Sequence, residues 1–150
     1  MKNKMNNKGF SLVELIIVIA IMAILVGVLA PQYIKYVDRS KTSKDESNAA
    51  ELLNNVNIIC ADEDMYSAIV LMEEDAKPEI TFNKDGVTVN PDADPDDTVD
   101  DNSLSEELES VLGDLAEIKA ASNTYKDQTY TISFDENSVP SGDWAETPEE

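Results

Sequence analysis

A single carboxylate, Glu14, interrupts an otherwise uncharged stretch that runs from Phe10 to Gln32. A charge carried into a membrane segment costs about 2.5–3.5 kcal/mol on insertion scales, so a residue kept there marks function. Ahead of it stands Lys8-Gly9-Phe10, a cation, the smallest residue and an aromatic in succession. Lys8 is the positive group nearest to Glu14. A cut between Gly9 and Phe10 removes that lysine and creates a new amine on Phe10, four residues from Glu14. Neighbours at i and i+4 meet on one helix, and in an assembly the amine of an incoming copy can instead meet Glu14 of a docked one. Pairing two buried charges offsets their desolvation only in good geometry, whereas one charge left alone is strongly unfavourable. Glu14 therefore reads as a register device. It penalises any stagger between copies that fails to bring a cation opposite it.

The rest of the chain offers little chemistry. Cys60 is the only cysteine and histidine is absent, so an intramolecular disulfide and a Cys/His zinc site are both excluded. The cysteine has no histidine partner, and the acids are scattered over surface-like positions, so an enzyme reading has no footing. Cys60 is expected as a small buried apolar residue. Asp92, Asp94 and Asp96 alternate as the opening ligands of an EF-hand loop do. Position six is then Asp97 instead of Gly and position twelve is Ser103 instead of Glu, so the tract reads as a solvated acidic loop. No metal site and no cofactor are expected.

Charge narrows the partners. The formal charge is −20, and losing residues 1–9 with Lys2, Lys4 and Lys8 takes it to −23. Residues 62–150 hold 26 acids against Lys77, Lys84, Lys119 and Lys126. Such a surface repels phosphates, so direct nucleic-acid binding and anionic lipid headgroups drop out for that half.

The elements that must position Glu14 follow from patterning. Residues 1–9 form a polar, basic leader, which stays cytoplasmic by the positive-inside rule. Residues 10–34 form a transmembrane helix, since the 21 residues from Phe10 to Ala30 approach the roughly 20 that span hydrocarbon. Pro31 lacks the amide that would bond the carbonyl of Gly27, which places a tolerated break in that helix. A signal peptide cut near Ala30 lacks an A-x-A pattern and would leave Pro31 behind the cut. A plain uncleaved anchor leaves Gly9-Phe10 and Glu14 unexplained.

Residues 35–61 open with a basic collar of Lys35, Arg39, Lys41 and Lys44. Ala49, Leu52, Leu53, Val56, Ile59 and Cys60 then make the apolar stripe of an amphipathic helix, with Asp45 and Glu46 among its polar positions. Residues 62–136 form a head. It holds a second helix around Met65–Met72 and a hairpin of Ile80–Phe82 with Val87–Val89, turned at Asp85-Gly86. A helix opened by the Ser103/Glu106 capping box follows, with Leu104, Leu108, Val111, Leu112 and Leu115 on its apolar face. Ile118–Ala120 is expected as a short strand, and Thr129–Phe134 as a longer one. Residues 137–150 are expected as an acidic flexible tail, which Trp144 pins in part. The fold class is α+β: a long N-terminal helix packed on a small head with a short antiparallel sheet.

Gly9-Phe10-Ser11-Leu12-Val13-Glu14-Leu15 resembles the cleavage and methylation motif of type IV pilins and the related pseudopilins. The likeness covers Lys8 to Pro31, about a sixth of the chain, and beyond it only the architecture is shared. It implies that a prepilin peptidase cuts after Gly9 and methylates the amine of Phe10. It implies that Glu14 acts in assembly and that Pro31 matches the proline of the family's long helix. The implied partners are other copies in a helical filament, the peptidase, membrane-embedded assembly machinery and minor pilins. The implied course is a single-pass membrane precursor, leader inside and head outside, then an extracellular pilus. The leading reading is a major pilin. Alternatives are a pseudopilin of a type II secretion or competence system, a minor pilin, and a single-pass membrane protein with an acidic head. Many pilins staple a C-terminal loop with a disulfide, and this chain departs from them there.

Overall fold

Helix α1 spans Leu12–Ile59 and carries Pro31 inside it. The structure is a computed structural model that describes residues 10–72, 77–90 and 103–147. Gly9, the acids at 73–75 and the alternating aspartates at 92–96 lie outside the described residues. The chain divides into two compact units between Val37 and Asp38. The second half of α1 therefore belongs to the same unit as the head, and its stripe supplies one wall of the core.

That wall is made as the spacing predicts. Ala49, Leu52, Val56 and Ile59 are buried, and Cys60 follows them into the core just past the helix end. Asp62 then caps α2, Glu63–Leu71, its carboxylate accepting the amide of Asp64 at 3.0 Å. Met65 and Ile69 are buried, while Tyr66 and Val70 remain exposed. A three- or four-residue spacing turns two of the four apolar side chains inward and leaves the others at the rim.

The opposite wall is an antiparallel sheet of four strands in the order β2-β1-β3-β4. Strands β1, Glu79–Asn83, and β2, Gly86–Asn90, form the expected hairpin, with Asn83 facing Gly86 across a Lys84-Asp85 loop. The Asn83 side chain accepts the amide of Asp85 at 2.8 Å, which holds the turn. Gly86 has φ +139, and a Cβ there would stand 3.1 Å from the Ala116 backbone. Only glycine meets both demands. Alternation along β3, Gln128–Phe134, buries Tyr130, Ile132 and Phe134, and along β1 it buries Ile80 and Phe82. Burying side chains of this size is worth about 1.5–3 kcal/mol each.

Helix α3, Leu104–Leu112, starts at Ser103, whose hydroxyl accepts the amide of Glu106 at 3.4 Å. Leu104 and Leu108 are buried, but Val111 is 59% exposed. The helix stops at Gly113, and Leu115 reaches the core from a separate 3-10 turn, Leu115–Glu117. The expected apolar face is thus shared between two elements. No strand forms at Ile118–Ala120, although the Ala120 amide donates to the Asn83 carbonyl at 3.0 Å.

The C-terminal region corrects the sequence reading. In place of a flexible tail from residue 137, Pro140–Glu146 forms strand β4, paired along its length with β3. The loop before it is organised by Asp135, whose carboxylate accepts the amides of Asn137 at 2.8 Å and Val139 at 2.9 Å. Pro140 is tolerated because it opens an edge strand. Gly142 lies opposite Ile132, and a Cβ there would collide with the Tyr130 ring. Trp144 stacks on Tyr125 at 3.9 Å between centroids and meets Tyr130 and Phe82 at tilted angles. That aromatic cluster is what keeps the acidic strand in place.

Asp45 is the second correction. Its place on the polar side of α1 predicts exposure, yet it is fully buried. Its carboxylate accepts the amide of Ala121 at 3.0 and 3.1 Å and the amide of Ser122 at 2.8 Å. Asp38 accepts the amide of Asn123 at 3.1 Å, and Tyr125 donates its hydroxyl to Glu46 at 3.0 Å. The segment between the 3-10 turn and β3 is tied to α1 by this row of acids.

Two outcomes are expected. Asp45→Ala leaves the buried amide of Ser122 unmet and opens the amide of the exposed Ala121 to water. A fragment beginning at Asp38 should lose roughly 2 kcal/mol in urea unfolding, within the ~1–3 kcal/mol of one unmet buried group, and an unchanged midpoint would contradict the clamp. Burial pushes the Cys60 thiol from 9.0 up to about 11. The folded chain holds that proton more tightly than the unfolded one, so the associated stability is intact below 9.0 and falls as pH rises to about 11. At pH near 8 a thiol reagent should label the folded protein about two orders of magnitude more slowly than the unfolded chain. Equal rates would place Cys60 at the surface.

Candidate functional site: an apolar helix with one carboxylate

Every residue from Phe10 to Tyr36 is exposed, including Phe10 at 89% and Leu12 at 74%. By length and composition this part of α1 can cross a membrane, and none of its apolar window is buried by the chain. Soluble monomers rarely expose contiguous apolar patches beyond a few hundred Å². A helix is also the form in which such a segment satisfies its own backbone in lipid. These residues need an apolar surrounding that the described residues do not supply.

Glu14 stands in the first turn of that helix. Ser11 is the residue before Leu12, and its amide donates to Glu14 Oε2 at 2.8 Å. The Ser11 carbonyl in turn accepts the amide of Leu15 at 3.2 Å. Ser11-Leu12-Val13-Glu14 therefore places serine at the helix N-cap and glutamate three residues on, the arrangement of a capping box. The positive end of the helix dipole favours a carboxylate there. The same Ser-x-x-Glu spacing opens α3 at Ser103–Glu106. A bond to a neutral amide satisfies one lone pair and leaves the full negative charge. Glu14 is thus held in place and still lacks a cation among the described residues.

The remaining sequence-derived positions separate. Phe10 precedes the helix and is the most exposed of the large apolar residues. Gly27 and Pro31 lie within α1, which continues through both. A Cβ at Gly27 would meet nothing within 4 Å, so no close packing inside this chain requires a glycine there. Gly9, on the other side of the expected cut, lies outside the described residues. In the head, no group of three or more His, Cys, Asp or Glu among the described residues could hold a metal.

Comparison with known proteins points to this same stretch. A family model described as a prokaryotic N-terminal methylation motif matches residues 4–30. The type IV major pilin protein PilA of Myxococcus xanthus is 39% identical over 61 residues, which is 41% of this chain and 28% of that protein. Prepilin peptidase-dependent protein A of Clostridium perfringens is 36% identical over 69 residues, 45% of this chain and 49% of that one. The type IV major fimbrial protein FimA of Dichelobacter nodosus is 44% identical over 45 residues, 30% of this chain and 29% of its own. The chain thus spans about half or less of the length of these relatives. No solved structure matches it. The likeness to type IV pilins is one of sequence, and its motif coincides with the exposed apolar part of α1.

Proposed function

We propose that this chain is the structural subunit of a type IV pilus. It is made as a membrane-anchored precursor, cut after Gly9, N-methylated on Phe10 and polymerised through its apolar helix. The observation that carries the reading is the uncovered apolar run of α1 with one carboxylate in its first turn. The methylation motif over residues 4–30 supports the processing step, and relatives named as major pilin and major fimbrial proteins support the assembled form.

The mechanism follows from what those residues need. Before assembly, lipid surrounds the run, the leader stays on the cytoplasmic side and the acidic head lies outside. Prepilin peptidase removes Lys8 with the leader and frees the Phe10 amine. In the filament, apolar helices of neighbouring copies replace lipid, and the amine of one copy meets Glu14 of another. Membrane-embedded machinery and minor pilins act on this subunit from outside it. Glu14 then sets which stagger between helices is allowed, because a cation must stand opposite it.

Replacing Gly9 with valine should leave a full-length precursor in the membrane fraction, read as slower migration on an immunoblot. Normal trimming of that variant would remove the cleavage site from the account. Glu14→Ala should be trimmed normally and yet lower the yield of sheared filaments by about tenfold or more, as losing one partner of a buried pair implies. Abundant filaments built from that variant alone would sink the register role.

A further inference from the structure

The exposed run of α1 is not uniform along its length. From Leu15 to Pro31 no side chain carries an oxygen or a nitrogen. Polar side chains stand at its two ends, Ser11 and Glu14 on one, Gln32, Tyr33, Lys35 and Tyr36 on the other. Tyr33 is 67% and Tyr36 72% exposed, so the chain itself covers little of either ring. Neither hydroxyl has a partner among the described residues. Three positions apart on a helix that continues past both, the two tyrosines share one side of it. Glu14 and Lys35, the charges that bracket the run, stand 21 residues apart on the same helix. That is about 32 Å of helical rise, against a hydrocarbon core about 30 Å thick. With Lys35 in the outer headgroup layer, the tyrosines flank it at that level and Glu14 falls at the inner boundary.

Tyrosine is suited to that level, because its ring can lie among acyl chains while its hydroxyl stays in water. In the middle of the hydrocarbon the same hydroxyl would be stranded. We infer that Tyr33 and Tyr36 form an interaction surface for the headgroup layer of the outer leaflet, and that this pair fixes the depth of the precursor in the bilayer. The partner is the lipid interface itself. Its recognition is amphipathic and calls for no charge on the lipid, so neutral phosphocholine headgroups suffice. An apolar run sets the length that can span but not the depth at which it rests, since a helix can tilt or slide at modest cost; anchors at the interface decide. Depth fixed from the outer side holds Glu14 at the inner boundary, on the side where the leader stays. The passage of its carboxylate into apolar surroundings then begins with assembly and not with insertion.

This inference rests on the membrane-anchored precursor of the pilus reading, and the experiment separates the two. The full-length chain, in a Cys60→Ala background, carries a nitroxide at Gln32→Cys or at Ile24→Cys and is placed in phosphatidylcholine vesicles. Depth is read as the ratio of collisions with oxygen to collisions with a water-soluble nickel chelate. The Gln32 label should report the headgroup boundary and the Ile24 label the hydrocarbon centre. Tyr33→Leu/Tyr36→Leu should draw the Gln32 label inward by about 3 Å, two residues of helical rise, whereas Tyr33→Trp/Tyr36→Trp should hold it in place. A Gln32 label that reads bulk water or the hydrocarbon centre overturns the inference. So does an unchanged depth in the Leu variant, which would leave the pair to helix–helix packing. If the chain does not enter the vesicles, the anchored precursor fails and the lipid surface fails with it. If the depths are as expected but cells making the chain yield no sheared filaments, the pilus reading fails and the lipid surface stands.

Discussion

From Phe10 to Tyr36 the chain leaves helix α1 uncovered, and water is a poor surrounding for that much apolar surface. The helix can exist in lipid or against other helices of its kind, and passage between those two settings conserves apolar burial. What does not pass freely is Glu14. Its carboxylate is held by the Ser11 amide at 2.8 Å, which positions the charge without neutralising it. In any apolar setting the remaining electrostatic cost is met best by a cation that comes from elsewhere. The proposed cut at Gly9 produces one on the neighbouring residue of every copy.

The second unit makes sense beside that constraint. Its core joins the α1 stripe, α2, the start of α3 and one face of the sheet into a single cluster, with no disulfide needed. The C-terminal strand is held by aromatic packing around Trp144, and the 121–125 segment by the carboxylates of α1.

Periodicity made much of this legible. The α1 stripe, the hairpin at Asn83–Gly86, the cap at Ser103 and the alternation along β3 all follow from local spacing, and they form where that spacing puts them. Asp45 was not legible, because a helix position alternating with polar neighbours carries no sign of the distant amides that bury it. β4 was missed because Pro140, Gly142 and two acids read as tail; its stability comes from Tyr130 and Phe82, which no local window contains. The short strand expected at Ile118–Ala120 does not form; the sheet's edges are β2 and β4, and the segment keeps one amide bond to β1, from Ala120 to Asn83. At the candidate site the residue types and the Ser-x-x-Glu spacing of a cap both stand in the sequence, and the structure adds the bond from the Ser11 amide to Glu14.

The central claim is that the apolar helix becomes a filament core after the leader is removed. Mass spectrometry of the N-terminal peptide from sheared surface filaments tests it most directly. The account predicts that the main band begins at Phe10 and carries a methyl group on its amine. A band beginning at Met1, or at a residue past Ala30, would contradict it.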